Sequence, residues 1–219
     1  MKSKEVTLFG ATGLIGGSLL EFLINDSNYK RINVVTRKPF SLNQKKIILQ
    51  IIDFSDYNSL SQTVRNSQIV FAAIGTTQSK VKGNKEAYRK IDFDILYNIA
   101  RACKEHNVKI FSFVSSSGAN IKSNNFYLKL KGEIENSILN LNLFSTSVFR
   151  PSLLLGNRKE KRFGEKVAQL IMPFLSFLMP RKYKPIKASL VAKSMINISK
   201  SIQPGFKIYH YKEIIKESK

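Results

Sequence analysis

The sequence predicts an α/β fold, a doubly wound parallel sheet with helices on both faces. Three observations carry that expectation. Short apolar runs, mostly β-branched or aromatic, recur along the chain, as strands buried on both faces require. Amphipathic stretches of helical length separate them, which is the alternation of βαβ units. Three glycines, Gly10, Gly13 and Gly16, fall where the first strand gives way to the first helix.

The elements follow in order. Glu5–Phe9 is a buried strand, and Ser18–Ile24 continues as a helix with apolar residues at helical spacing. Between them, Gly10 permits a tight turn, Gly13 lets a backbone approach a pyrophosphate, and Gly16 lets the helix lie against the strand. The helix start then offers unpaired N–H groups and a positive dipole end to an anion. The pattern GxxGxxG is a spacing variant of the dinucleotide fingerprint, so the expected sheet is Rossmann-type. Further strands are predicted at Ile32–Thr36, Ile47–Ile52, Ile69–Ile74, Ile110–Ser115 and Ser147–Phe149, with helices over Tyr57–Arg65, Glu86–His106 and Phe126–Leu141.

Beyond Arg150-Pro151 the pattern changes. Residues 157–162 are mostly charged, and Val167–Met179 is almost wholly apolar with a basic stretch after it, Pro180 to Pro185. That run is too short to span a bilayer. It would suit a helix on an acidic membrane surface, though a cover over a cleft or a subunit contact is the preferred reading. Ile186–Ser199 reads as another helix and Phe206–Tyr211 as a last strand. One domain over 1–219 is expected, with a core over 1–150 and a short C-terminal extension over 151–219.

The formal charge is +21, an excess of Lys and Arg over acids that favours anionic partners. The lysines scatter, however, with no aromatic-interleaved RNA motif and no helix-turn-helix, so solvated faces explain them better than nucleic acid does. Peripheral membrane contact stays open. The single cysteine, Cys103, and two histidines, His106 and His210, give no disulfide and no zinc cluster. With the first strand so near Met1 there is no room for a secretory h-region, and a cytoplasmic protein is expected.

Tyr127 and Lys131 stand four apart on a predicted helix and so share a face. Upstream, Ser115-Ser116-Ser117 ends a buried strand at the carboxyl edge of the sheet. A tyrosine titrates near ~10 unless a cation favours its phenolate, and Lys131 can supply that charge. A serine hydroxyl would orient a substrate carbonyl while Tyr127 donates a proton to the developing alkoxide.

With these pieces the chain resembles the short-chain dehydrogenase/reductases, and more narrowly the small atypical branch of Tat-interactive-protein-like oxidoreductases. The matching segments are Gly10 to Gly16, Ala73 to Thr77, Ser115 to Ala119, Tyr127 to Glu133 and Val148 to Pro151, in family order. The resemblance implies that Gly10, Thr12, Gly13, Leu14 and Ile15 hold a pyrophosphate. It implies Asp53 and Phe54 at the adenine, and Ile74 and Gly75 at the adjoining ribose. Tyr127 would be the proton donor, Lys131 would also bond the nicotinamide ribose, and Leu154 and Arg162 would lie near the nicotinamide end. The orienting serine would be Ser116 or Ser117. The C-terminal extension would lie on the substrate side. Asp92 falls where many extended relatives carry asparagine, although the Tat-interactive-protein-like branch resembles this chain there, and a carboxylate cannot donate the same hydrogen bond.

Cofactor identity is argued from the second strand, which in NAD-binding units usually ends on an acid. Here Arg37 and Lys38 follow it, which favours a 2′-phosphate and hence NADPH. The expected function is reduction of a small carbonyl compound by a monomer or homodimer. The alternative is an NADPH-binding sensor with little turnover.

Overall fold

The computed structural model describes residues 4–41, 44–76, 81–156 and 184–219. A seven-stranded sheet forms the centre, built from β1 (Lys4–Phe9), β2 (Tyr29–Thr36), β3 (Ile47–Ile51), β4 (Ile69–Ala72), β5 (Ile110–Val114), β6 (Ser145–Phe149) and β9 (Gly205–Tyr209). Their order is β3-β2-β1-β4-β5-β6-β9, and every neighbouring pair is parallel. The sequence of strands therefore reverses between β1 and β4. A crevice opens there at the carboxyl ends, where ligands of such sheets bind.

Helices α1 (Leu14–Asn25), α2 (Tyr57–Gln62), α3 (Lys85–Arg89), α4 (Ile95–Glu105), α5 (Phe126–Leu139), α6 (Ala188–Ser199) and α7 (Tyr211–Glu217) cover the sheet. One apolar core joins Val6 and Leu8 of β1 to Leu19 and Leu23 of α1 and to Val191 and Met195 of α6. The opposite core joins Phe9 to Leu60, Ile99, Cys103, Phe111, Phe113, Ile134 and Val148. Alternate residues of β1 thus feed opposite layers, as the strand period demands. Within the second layer Thr7 is satisfied, its hydroxyl lying 3.0 Å from the Thr63 carbonyl and 2.6 Å from Ser67 Oγ.

Several expected elements change at their ends. The single helix foreseen over Glu86–His106 is α3, then a π-helical turn at Lys90–Asp94, then α4. The strand foreseen to Ile74 ends at Ala72, because the following residues turn to meet the glycine loop. Ile186 and Lys187 are not helical. They form β8, paired in parallel with β7 (Leu154–Leu155), and the helix begins at Ala188. A final helix, α7, was not foreseen. It follows His210, whose N–H donates to the Glu213 carboxylate at 3.1 Å, and it buries Ile214. The charged run at 157–162 with Arg162, the apolar run Val167–Met179 and most of its basic flank lie outside the described residues.

Candidate functional site

The switch point is built by two loops in contact. Gly10 leaves β1 with φ +87°, in the left-handed region, and a Cβ there would lie 2.4 Å from the Ala73 carbonyl oxygen after β4. Glycine is required on both counts. A Cβ on Gly16 would lie 1.9 Å from the Gly10 oxygen, so the first turn of α1 can sit on the loop only without a side chain. The Gly13 N–H donates to that same oxygen at 2.9 Å, closing the turn.

Gly13 caps α1 with extended backbone and brings no side chain to the first-turn amides. That turn contains no acidic residue. Thr12 and Gly13 are exposed and Leu14 half-buried, whereas Ile15 points into the core and can offer only its backbone. An uncapped, open start on a twelve-residue helix fits a dinucleotide pyrophosphate.

Beside this cradle, Arg37 and Lys38 are exposed just past β2, and the Thr36 hydroxyl donates to the Lys38 carbonyl at 2.9 Å, which fixes their turn. Arg37, Ile51, Ile52 and Asp53 line an open depression of about 380 Å³. Asp53 accepts from the Ser55 N–H at 2.9 Å, and that bond holds its carboxyl below the usual range. Phe54, expected at an adenine, is buried with its ring edge-on to Phe9, centroids 6.1 Å apart. Its ring is committed to the core. Ile74 and Gly75 follow β4 at the crevice, Ile74 half-buried and Gly75 exposed. Leu154 lies on β7, half-buried against the α1 and α6 layer.

On the far side of β4, Asn125 caps α5 by accepting the Leu128 N–H at 3.1 Å. Tyr127, Lys131 and Glu135 then fall on successive turns of one face. A Cβ on Gly132 would lie 2.3 Å from the Ile121 nitrogen, so α5 rests directly on the loop that carries the serines. Lys131 is not a solvated lysine. Its side chain is 4% exposed and its Nζ lies 2.7 Å from Asp92 Oδ1, on a carboxylate that is 1% exposed. Burial works against the ammonium, but Asp92, with help from Tyr127 and Glu135, outweighs it and raises the Lys131 pKa. The Lys131 Nζ also lies 5.9 Å from the centroid of the half-buried Tyr127 ring.

The serines divide. Ser115 is buried and donates to Glu135, which also holds Arg150 through both carboxylate oxygens, one of these bonds at 3.0 Å. That cluster locks α5 to the ends of β5 and β6. Ser116 and Ser117 are partly exposed, with the Ser117 N–H donating to the Pro151 carbonyl at 2.8 Å. Tyr88 of α3 stands edge-on to Tyr127 at 6.1 Å and donates its hydroxyl to the Thr76 carbonyl at 3.1 Å.

Asp92, Glu135 and Arg150 were not foreseen as members of this cluster. Glu135 carried a signal, the spacing of four from Lys131 that Lys131 has from Tyr127. Asp92 stood out only by the resemblance, where many extended relatives carry asparagine; its inward turn of π form leaves no trace in an apolar pattern. Arg162 lies outside the described residues.

Comparison with known proteins places this geometry. The model of a family described as NAD(P)H-binding matches residues 10–152, from the glycine turn to the end of β6. The chain belongs to the NAD(P)H-binding family. Within it, this is an atypical short-chain dehydrogenase/reductase of Rossmann fold. Relatives include protein FMP52, mitochondrial, of Candida albicans, 34% identical over 198 residues that cover 88% of this chain and 86% of the relative. The protein of the same name from Meyerozyma guilliermondii is 33% identical over 219 residues, covering 97% and 94%. Among solved structures, a UDP-N-acetylglucosamine 4-epimerase from Methanobrevibacter ruminantium matches with TM-score 0.74 at 18% identity, over 99% of this chain and 81% of that one. WbmH from Bordetella bronchiseptica, in complex with NAD+, matches at 0.73 and 15% identity, over 95% and 75%. At such identities the structures show the fold alone.

One expectation is overturned. A cytoplasmic location does not hold, since the curated relatives are named as mitochondrial proteins. A lone cysteine fits a reducing compartment but does not say which one.

Proposed function

We propose that this protein is an NADPH-dependent reductase of a small, apolar carbonyl compound, acting at mitochondria as its relatives are named. The observation that carries the reading is the buried Lys131 ammonium beside Tyr127, on a helix pinned next to the cradle at the switch point. The pyrophosphate would be held by the backbone of Gly10 and Thr12 to Ile15, and Arg37 with Lys38 would receive a 2′-phosphate. A bound nicotinamide supplies hydride. The chain's own residues do the rest. Ser116 or Ser117 orients the carbonyl oxygen, Tyr127 donates a proton to it as negative charge develops, and Lys131 stabilises the phenolate left behind.

The test is hydride transfer from NADPH, followed by its absorbance, over a carbonyl panel. With a turned-over carbonyl in hand, Tyr127→Phe is expected to lower turnover by roughly 10²–10⁴-fold, the usual worth of a positioned acid. Unchanged turnover would sink the role. Arg37→Ala is expected to weaken NADPH binding while sparing NADH, and an equal loss for both would remove the 2′-phosphate reading.

A second reading has its own observation. The Lys131 ammonium is engaged by Asp92, which leaves less of its field for Tyr127 and suits an NADPH-binding sensor with little turnover. Tight NADPH binding without turnover, together with a partner affinity that depends on NADPH, would favour it.

A further inference from the structure

Asp92 occupies a position that its local sequence does not explain. It lies in the π-helical turn Lys90–Asp94 between α3 and α4, 2% exposed, where an unpaired carboxylate would be expensive. Such turns carry one residue more than an α-turn, which swings a side chain out of helical register. Here the swing brings the carboxylate inward, and its two oxygens are shared between two partners. Oδ1 meets Lys131 Nζ at 2.7 Å, and Oδ2 accepts the Thr76 backbone N–H at 2.8 Å. Thr76 continues the loop whose Ala73 carbonyl abuts Gly10. One carboxylate therefore ties the cofactor-side loop to the helix of Tyr127 and Lys131.

Among the described residues nothing else can take this place. The groups among them that face Lys131 are Asp92 from the π turn and Tyr127 and Glu135 from its own helix. Glu135 is already taken by Arg150 and Ser115. Tyr88, packed against Tyr127, donates its hydroxyl to the Thr76 carbonyl, in the peptide link that follows the one whose N–H Asp92 accepts.

We propose that Asp92 is a positioning residue, which holds Lys131 as an ammonium beside Tyr127 and with its other oxygen fixes the Gly75–Thr76 edge of the cofactor groove. It rests on the reading of Tyr127 as proton donor given above. The sign of its effect follows from the two opposing influences on Lys131. Burial drives the ammonium to release its proton, and the Asp92 charge prevents it. Without that charge, burial wins.

Asp92→Asn keeps the size and an acceptor for Thr76 but removes the charge. The readout is the Lys131 side-chain nitrogen resonance of the unliganded, nitrogen-15-labelled protein, assigned by its loss in Lys131→Met and followed against pH. In Asp92→Asn the Lys131 midpoint is expected to fall by about one to three pH units, the effect of removing a close opposite charge. Asp92→Glu is expected to bring it back toward the wild type. NADPH affinity, read by fluorescence titration, is expected to drop several-fold in Asp92→Asn. A Lys131 midpoint that does not move would overturn the proposal. Should Asp92→Asn fail to fold, the wild type decides, because Lys131 must then stay protonated to higher pH than the exposed lysines. A midpoint at or below theirs overturns the proposal. Absence of turnover over the carbonyl panel would remove the reductase reading while leaving this Lys131 shift intact, so the two failures are distinguishable.

Discussion

At the scale of single residues, the Asp92–Lys131 pair makes the most exacting demand. Two buried charges are tolerable only because each has the other, and deleting one leaves its partner uncompensated. Lys131→Met is therefore expected to destabilise the fold by about 3–5 kcal/mol in chemical denaturation near neutral pH. The pH dependence follows from the direction of the shift. The folded state raises the Lys131 pKa, so its contribution is fully present below the ordinary lysine range. It is lost as pH climbs through the raised folded value. The stability gap between wild type and Lys131→Met should thus hold through neutral pH and close only in strongly alkaline solution. A gap that opens on acidification instead would show that the lysine is not held as the geometry indicates.

At the scale of elements, close approach sets the terms. The first turn of α1 lies on the Gly10 carbonyl, and Gly16→Ala would force a Cβ to within 1.9 Å of it. Because the obstacle is backbone, the loop or the helix must shift. A loss of about 3 kcal/mol or more is expected, with cofactor affinity falling alongside. A Gly16→Ala protein with wild-type midpoint and affinity would contradict the packing. This junction was legible in the sequence, since a strand, three spaced glycines and a helix are local signals read in order. The buried strands were legible for the same reason, through continuous β-branched and aromatic runs such as Ile69 to Ala72. What escaped depended on distant partners. The π turn exists because Asp92 meets Lys131 and Thr76, far away in sequence. Ile186 and Lys187 pair with Leu154 and Leu155 rather than joining the helix that their composition suits. Helix α7 escaped because two isoleucines among charges show too short an apolar pattern to separate from a polar tail. In the site, Tyr127 and Lys131 were legible by spacing, while the commitment of Ser115 to Glu135 and of the Phe54 ring to Phe9 needed the assembled layers.

At the scale of the whole molecule, a net charge of +21 on 219 residues works against compactness through self-repulsion. Sodium chloride added from low ionic strength to the physiological range is expected to raise the thermal midpoint, as screening relieves that repulsion. A midpoint that falls would mean that attractive ion pairs dominate instead. The arrangement of the strands has another consequence, one of timing. Every neighbouring pair in the sheet is parallel, so no two strands can meet as a hairpin while the chain is being made. Each pairing must wait for an intervening crossover, and the edge pair is the most delayed, since Ser145 finds Gly205 only after the chain has run on through α6. Until then β6 presents an open edge of unpaired backbone groups. A chain ordered this way should acquire its nucleotide cradle early in synthesis and β9 late, and the interval between is when it has most need of a chaperone.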